Sequence, residues 1–410
     1  MKTKPSILYV LVLLAIASCD RPVAQFRGIE RDGIYNETEL LDQWPEEGPE
    51  LLWTFEGLGR GFASPAVTNK QIFINGEEDG NSFTAALSLA GELLWKTPNG
   101  KEFLGEGFSA TYPGSRSTPT VKGKYVYAGS GTGSLACFDS KTGETIWATD
   151  LMKDLQGNLT MFGYSESPAV DEEYLYCFPG GSENNLVAFN RFSGELSWSA
   201  ELLKDTFAYG SIVQIDLAEA NILLGTSRYY LYTADRSNGE LLAAYKLEGF
   251  QYDGEHCNTP VYQDGSIYFV GNDNPGQGAM RLQLSPDGGS ISEVWRNPEV
   301  LNNFGGFVVL DGKIFTTLKG NKLVALDPNN GTISDSIKVA TGSIVYADQK
   351  FICYGHNGEI QLVNYRDNKF ESGGLFRISL GNGNHFAHPV INNGIMYIRR
   401  GNTLMAYKIK

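Results

Sequence analysis

The chain is poor in the residues that carry most protein chemistry. Its 410 residues include 4 histidines and 5 cysteines. Cys19, Cys137, Cys177, Cys257 and Cys353 lie far apart, with no Cys-x-x-Cys pair, so a redox dithiol, a Cys-x-x-Cys-type zinc site and a haem-attachment motif are all excluded. There is no Gly-x-Ser-x-Gly elbow, phosphate loop or His-Glu-x-x-His helix. Lysine and arginine (33) are outnumbered by aspartate and glutamate (47), the net charge is −14, and no basic stretch appears. That balance argues against a nucleic-acid partner, which needs a basic footprint. Beyond residue 16 no apolar run has spanning length. Glycine (48) and aromatic residues (12%) are plentiful, which points to strands and tight turns rather than disorder.

What is present is a phrase that recurs. Asp139-Ser140-Lys141-Thr142-Gly143-Glu144-Thr145-Ile146-Trp147 returns with the same spacing as Asn190-Arg191-Phe192-Ser193-Gly194-Glu195-Leu196-Ser197-Trp198. Gly91-Glu92-Leu93-Leu94-Trp95 ends alike, and Asp235 to Glu240 and Asp327 to Gly331 keep the turn without the tryptophan. A period of roughly 40 to 55 residues means an array of small sheets. Each unit opens on a small residue, often followed by proline, as in Ser64-Pro65, Thr118-Pro119, Ser167-Pro168, Thr259-Pro260 and His388-Pro389. Proline suits a strand's first residue, where no ladder bond is lost. A second strand follows across turns such as Asp264-Gly265, Asp311-Gly312 and Asn393-Gly394. A third strand precedes the recurring turn, and the tryptophan strand is the fourth.

The fold class expected is all-β: an eight-bladed β-propeller of four-stranded antiparallel blades. Openings fall near residues 65, 119, 168, 212, 260, 307, 344 and 389. Seven blades is the alternative, because the units near 307 and 344 are degenerate. The last opening leaves chain for three strands only. Leu51-Leu52-Trp53-Thr54-Phe55 resembles a tryptophan strand with no blade before it, and pairing it with the C-terminal strands would close the ring. Trp53, Trp95, Trp147, Trp198 and Trp295 are expected to wedge between neighbouring blades. Cys137, Cys177 and Cys353 sit in strand-like stretches and read as buried thiols.

The partition expected is a signal peptide at 1–18, an anchor linker and lead-in segment at 19–50, and the propeller at 51–410. Lys2 and Lys4 precede a short apolar run at 7–16, the pattern of a secretory signal. Ala17-Ser18-Cys19 is similar to the lipobox of bacterial lipoproteins, which implies lipidation of Cys19 and a membrane surface as partner. Loss of Lys2 and Lys4 with the signal makes the chain two charges more negative. Asp20 resembles an inner-membrane retention signal of some bacteria, so the anchor is expected in the cell envelope, periplasmic or outer-membrane, without a choice of membrane.

The strand followed by Asp-x-x-Thr-Gly-Glu-x-x-Trp resembles the pyrroloquinoline-quinone-type (PQQ-like) propeller repeat over about residues 50 to 410. Gln25-Phe26-Arg27-Gly28-Ile29-Glu30-Arg31-Asp32-Gly33 resembles the lead-in of exported members of that superfamily. Two precedents follow from the resemblance. One is the quinoprotein alcohol dehydrogenases, which bind the quinone (PQQ) with Ca²⁺ in longer chains, many with a disulfide between adjacent cysteines. No Cys-Cys dipeptide is present here, and no residue motif supports the quinone or Ca²⁺. The other is a cofactor-free lipoprotein subunit of the β-barrel assembly machinery. The reading is therefore an exported, lipid-anchored scaffold at the bacterial cell envelope with no cofactor. It would bind envelope proteins, an outer-membrane barrel assembly complex among them. Alternatives are a quinone-dependent periplasmic dehydrogenase of alcohols or sugars and a carbohydrate-binding propeller.

Segments before the opening strands should line one rim and the channel. They supply Arg60, Arg116, Tyr164, Glu166, Tyr209, His256, Asn303, His385 and His388 as candidate funnel or ligand-binding residues, with Glu255 beside them. His385 and His388 with His256 and a carboxylate would have metal-ligand chemistry, but three-residue spacing on a strand turns the two rings apart, so the expectation is a polar lining and no metal. No catalytic residue is assigned. The acidic turn Glu77-Glu78-Asp79-Gly80-Asn81 lacks the ligand spacing of an EF-hand and reads as a solvated hairpin tip.

Overall fold

A computed structural model describes residues 23–206, 208–247, 256–272 and 277–410. Residues 1–18, Cys19 and Glu255 lie outside them. Eight blades of four antiparallel strands follow in chain order, and the seventh gains a fifth, parallel strand at its inner edge from Ile34–Tyr35. Blades 1 to 7 occupy residues 66–101, 120–150, 169–200, 213–246, 261–297, 307–338 and 342–377. Blade 8 joins Val390–Asn392, Ile395–Arg400 and Thr403–Lys408 to the N-terminal strand Glu50–Glu56, which pairs antiparallel with Thr403–Lys408. The eight openings and the closure agree with the sequence reading, and the degenerate units near 307 and 344 are complete blades.

Local chemistry explains the repeat. Asp139 accepts from the backbone N–H groups of Lys141 and Thr142 at 2.9 and 3.0 Å, and Gly143 supplies φ +74°. The outer strand then slips by one residue between Thr145 and Trp147, which re-aims the indole. Trp95 lies on Gly143 of the next blade so closely that a Cβ there would sit 2.5 Å from the ring. Trp53 covers Gly91, Trp147 covers Gly194, Trp198 covers Gly239, and Trp295 covers Gly331 in the same way. The indole N–H groups of Trp53, Trp95 and Trp147 each donate to a carbonyl of that turn, Leu89, Ser140 and Arg191, at 3.0 Å. Blade 4 has Ala243 at the tryptophan position. At its seam with blade 5 the hydroxyl of Thr233 donates to Gly288 instead, at 2.8 Å.

The core lies between blades. Phe73, Trp95, Val126 and Phe138 form one such layer, and Val308, Phe315, Ile344 and Phe351 another. Cys137, Cys177 and Cys353 are buried free thiols in these layers, and burial raises the pKa of each.

Candidate functional site

Residues 24–35, read from sequence as a lead-in, fill one end of the central channel. The backbone groups of Ala24 and Val121 exchange two hydrogen bonds, at 3.1 and 2.8 Å, on blade 2. Ile34–Tyr35 runs parallel to Gly342–Ala347, the inner strand of blade 7, and Phe26 meets His388 edge-on at 5.1 Å. Arg31 donates to the carbonyls of Ser167 and Pro168, which lead into blade 3. Arg27 donates to the carbonyls of Phe307, Ile344 and Asp32 and to Nδ1 of His388 at 3.0 Å. Gly306, at φ +71°, and Gly33 leave room for the Arg27 guanidinium, which a Cβ at either position would strike. Both arginines are almost wholly buried, and desolvation lowers their pKa values to about 10. They remain cations solvated by carbonyls in place of water.

This plug is the floor of a funnel that opens on the opposite face. The plug and turns that follow the inner strands, such as Thr68 to Lys70 and Gly123, line one cavity of about 490 Å³ on the plugged face. The funnel walls are the segments that precede those strands. There an aromatic network crosses the mouth. Tyr209 meets Phe162 at 6.0 Å, Phe162 meets Tyr112 at 6.0 Å, and Tyr112 meets Phe386 at 6.1 Å. Phe304 meets Phe386 at 4.6 Å and His356 at 5.0 Å. Phe62 joins at Phe386, and Phe108, 67% exposed, joins at Tyr112. Beside the network a groove of about 950 Å³ carries the exposed side chains of Leu104, Leu159 and Met161.

The residues expected in the funnel divide by role. Arg116 faces it, between the rings of Phe62 and Phe103 and held by the carbonyls of Gly114 and Tyr112. Burial lowers its pKa, against the opposing field of Glu102. Tyr209 is in the network, and its hydroxyl accepts from the Phe162 N–H at 3.1 Å. Asn303 is half-buried beside Phe304. The other residues serve the walls. Tyr164 donates to Glu166 Oε2 at 2.6 Å, which also accepts from the Phe178 N–H at 2.8 Å. Burial raises the Glu166 carboxyl to about 7. His256 is buried against Phe269, and burial lowers its pKa to about 4. His385 bonds the Tyr354 hydroxyl at 2.7 Å, whereas His388 bonds Arg27 and the Phe304 carbonyl, so the pair turn to different partners. Arg60 is tied to Glu77 by two bonds, at 2.9 and 3.0 Å. The acidic turn is a hairpin tip with Glu78, Asp79 and Asn81 exposed, as read from sequence; Glu77 alone departs, at 4% exposed, because Arg60 and the Gly80 N–H draw its carboxylate inward.

Three features had no expectation. Arg399 is fully buried at the seam of blades 8 and 1, with the carbonyls of Gly401, Ala63, Asn75 and Leu58 and the Ser115 hydroxyl as partners. Arg27 and Arg31 belong to the quoted lead-in, but only their hydrophobic neighbours hinted at burial. The aromatic network comes from irregular segments, where richness in Phe and Tyr was the only signal.

Among the described residues no group of three metal-ligating side chains stands together. Glu102 and Glu166, the buried carboxylates near the channel, are turned onto backbone N–H groups. That donor set does not fit a Ca²⁺–quinone pair.

The family described as outer membrane protein assembly factor BamB matches residues 80–336, more than half of the chain. A curated BamB of Kangiella koreensis is 26% identical over 209 residues, 50% of this chain and 47% of that protein. The stretch matched thus spans about half the length of that relative. A curated BamB of Shewanella oneidensis is 24% identical over 306 residues, 73% of this chain and 69% of its own. The crystal structure of BamB from Moraxella catarrhalis superposes with a TM-score of 0.62 at 11% identity, over 88% of this chain and 99% of that one, a likeness of fold.

Proposed function

The chain belongs to the BamB family of outer membrane protein assembly factors, and from that premise we propose that it is a lipid-anchored, non-catalytic scaffold of the cell envelope that holds protein partners of an outer-membrane assembly complex. The observation that carries the reading is the aromatic network on the open face, with exposed Leu104, Leu159 and Met161 in a groove of mixed polarity beside it. Aromatic and methionine side chains that remain partly exposed on a rigid support are typical anchors of protein interfaces. Lipid on Cys19 would retain the disc at a membrane, and among the described residues the funnel offers no paired acid and base within reach of a shared substrate position.

The test is co-purification from gently solubilised envelopes of the source bacterium. The wild-type protein should retain an outer-membrane barrel protein. The Phe108→Ser/Met161→Ser variant should retain at least several-fold less while melting at the same temperature. Equal retention by the variant, or no barrel protein with the wild type, would overturn the reading. Exposed rings also stack on sugars, so retention on isolated glycan strands without any protein partner would replace it with the carbohydrate-binding one.

A further inference from the structure

The plug fixes where the chain enters the disc. Ala24 is held by two backbone bonds to Val121 on the turn side of blade 2, and from there Arg27 and Arg31 are buried across the axis. Residues 24–35 are bonded as well to the inner strands of blades 6 and 7 and to Ser167 and Pro168, which lead into that of blade 3, on both sides of the channel. The point of entry therefore cannot swing without breaking buried bonds.

Cys19 precedes Ala24 by five residues, and a fully extended chain covers at most about 3.5 Å per residue, so the tether reaches no farther than about 17 Å. The aromatic network lies at the other ends of the inner strands. Going round the disc to that face means crossing the four strands of a blade, spaced about 4.8 Å apart, and then a strand's length of about 20 Å. A tether of this length cannot do both.

We infer that the plugged face of the disc abuts the membrane that holds the anchor, with the aromatic face directed away from the lipid. The inference rests on the reading that Cys19 is lipidated. It specifies a lipid-facing surface made of the plug and the turns that follow the inner strands. Those turns carry Asp171, Glu172, Glu173, Glu219, Asp264, Asp311 and Asp348 against Lys70 and Lys124. Their charge repels anionic headgroups, so the contact is imposed by the anchor and not by attraction to the bilayer surface. The orientation leaves the groove beside Leu104, Leu159 and Met161 and the aromatic mouth accessible to partners in the aqueous space.

The experiment places one fluorophore on each face of the full-length protein in a Cys257→Ser background, the remaining unacylated cysteines being buried. Asn69→Cys labels a turn beside the plug and Thr111→Cys the rim beside Tyr112; both positions are exposed. Each is reconstituted in phosphatidylcholine vesicles containing a headgroup-attached quencher, after mass spectrometry of the N-terminal peptide. The label at 69 should be quenched several-fold more than that at 111. A 20-residue Gly/Ser insertion between residues 22 and 23 should abolish the difference. Equal quenching, or stronger quenching at 111, in acylated protein without the insertion would overturn the orientation alone. A Cys19 peptide without acyl chains would overturn the anchoring reading, and the orientation with it.

Discussion

Two glycines separate the strain of a turn from the steric demand of the tryptophan that covers it. Gly123 and Gly143 both belong to blade 2 and both have positive φ, +65° and +74°. Alanine at either position is forced into the left-handed region, a penalty of about 1 kcal/mol. At Gly123 a Cβ meets nothing within 4 Å, so that penalty is the whole effect. At Gly143 the Cβ would lie 2.5 Å from Trp95 Cδ2 and 2.7 Å from Cε3, far inside the 3.5–4.0 Å of a normal carbon contact. The indole has no easy retreat: its N–H is bonded to Ser140 at 3.0 Å and its ring packs between Phe73 and Phe138. Overpacking adds roughly 1–3 kcal/mol, and loss of the indole bond about 1 more. Gly143→Ala should therefore destabilise by about 3–5 kcal/mol and Gly123→Ala by about 1. Urea unfolding followed by far-UV circular dichroism measures both, provided the slopes match the wild type. In a Trp95→Ala background, itself destabilised by about 3–5 kcal/mol, Gly143→Ala should fall to the strain penalty alone. Equal effects of the two glycine substitutions in the wild-type background, or an unchanged Gly143→Ala effect without the indole, would refute the docking argument.

Other perturbations test the buried charges. Arg399→Met leaves several carbonyls without their donor at the ring's closing seam and should lower stability by about 3 kcal/mol or more in the same denaturation assay; a loss below about 1 would show that water replaces the guanidinium. Glu166, raised to about 7 by burial, holds its proton more tightly in the folded than in the unfolded chain, so its contribution to stability is present below about pH 4.5 and is lost as pH rises to 7. Glu166→Gln preserves an acceptor for Tyr164 and Phe178 but cannot ionise. The variant should gain on the wild type, by on the order of 3 kcal/mol, between pH 4.5 and 7, and a pH-independent difference would contradict the assignment. Arg31→Met should free the plug first, seen as faster proteolysis within residues 23–35 at temperatures where the blades remain folded. Cleavage no faster than in the wild type would mean that Arg27 and the Ala24 bridge suffice.

The repeating part of the molecule was legible because repetition supplies its own check. Ser64-Pro65, Thr118-Pro119 and His388-Pro389 mark opening strands by the same chemistry in each blade, and one unpartnered tryptophan strand at Leu51 to Phe55 exposed the closure. The plug and the aromatic mouth occur once each. Arg27 reaches the Ile344 carbonyl across 317 positions, and a backbone carbonyl leaves no mark in a sequence. Arginine also reads as a surface residue unless its partners are known. In the acidic turn the burial of Glu77 alone was not legible, because Arg60, its partner, lies 17 residues upstream in another segment. The histidines were expected in the funnel from their place before opening strands; the structure bonds His385 to the Tyr354 hydroxyl and His388 to Arg27, so the two rings turn to different partners.

The closing strand also sets an order in time. Glu50–Glu56 pairs with Thr403–Lys408, so the first strand of the disc waits for the last. At a synthesis rate of about 5–20 residues per second, the roughly 350 residues between them take on the order of 20 to 70 seconds to appear. Through that interval blades 1 to 7 can stack while Glu50–Glu56 stays without its ladder and, once made, blade 8 offers an unpaired edge. Two chains caught at this stage can exchange first strands, each finishing the other's eighth blade with the bonds meant for its own. The device that closes the finished ring makes crowding of half-made rings the route by which this protein misassembles.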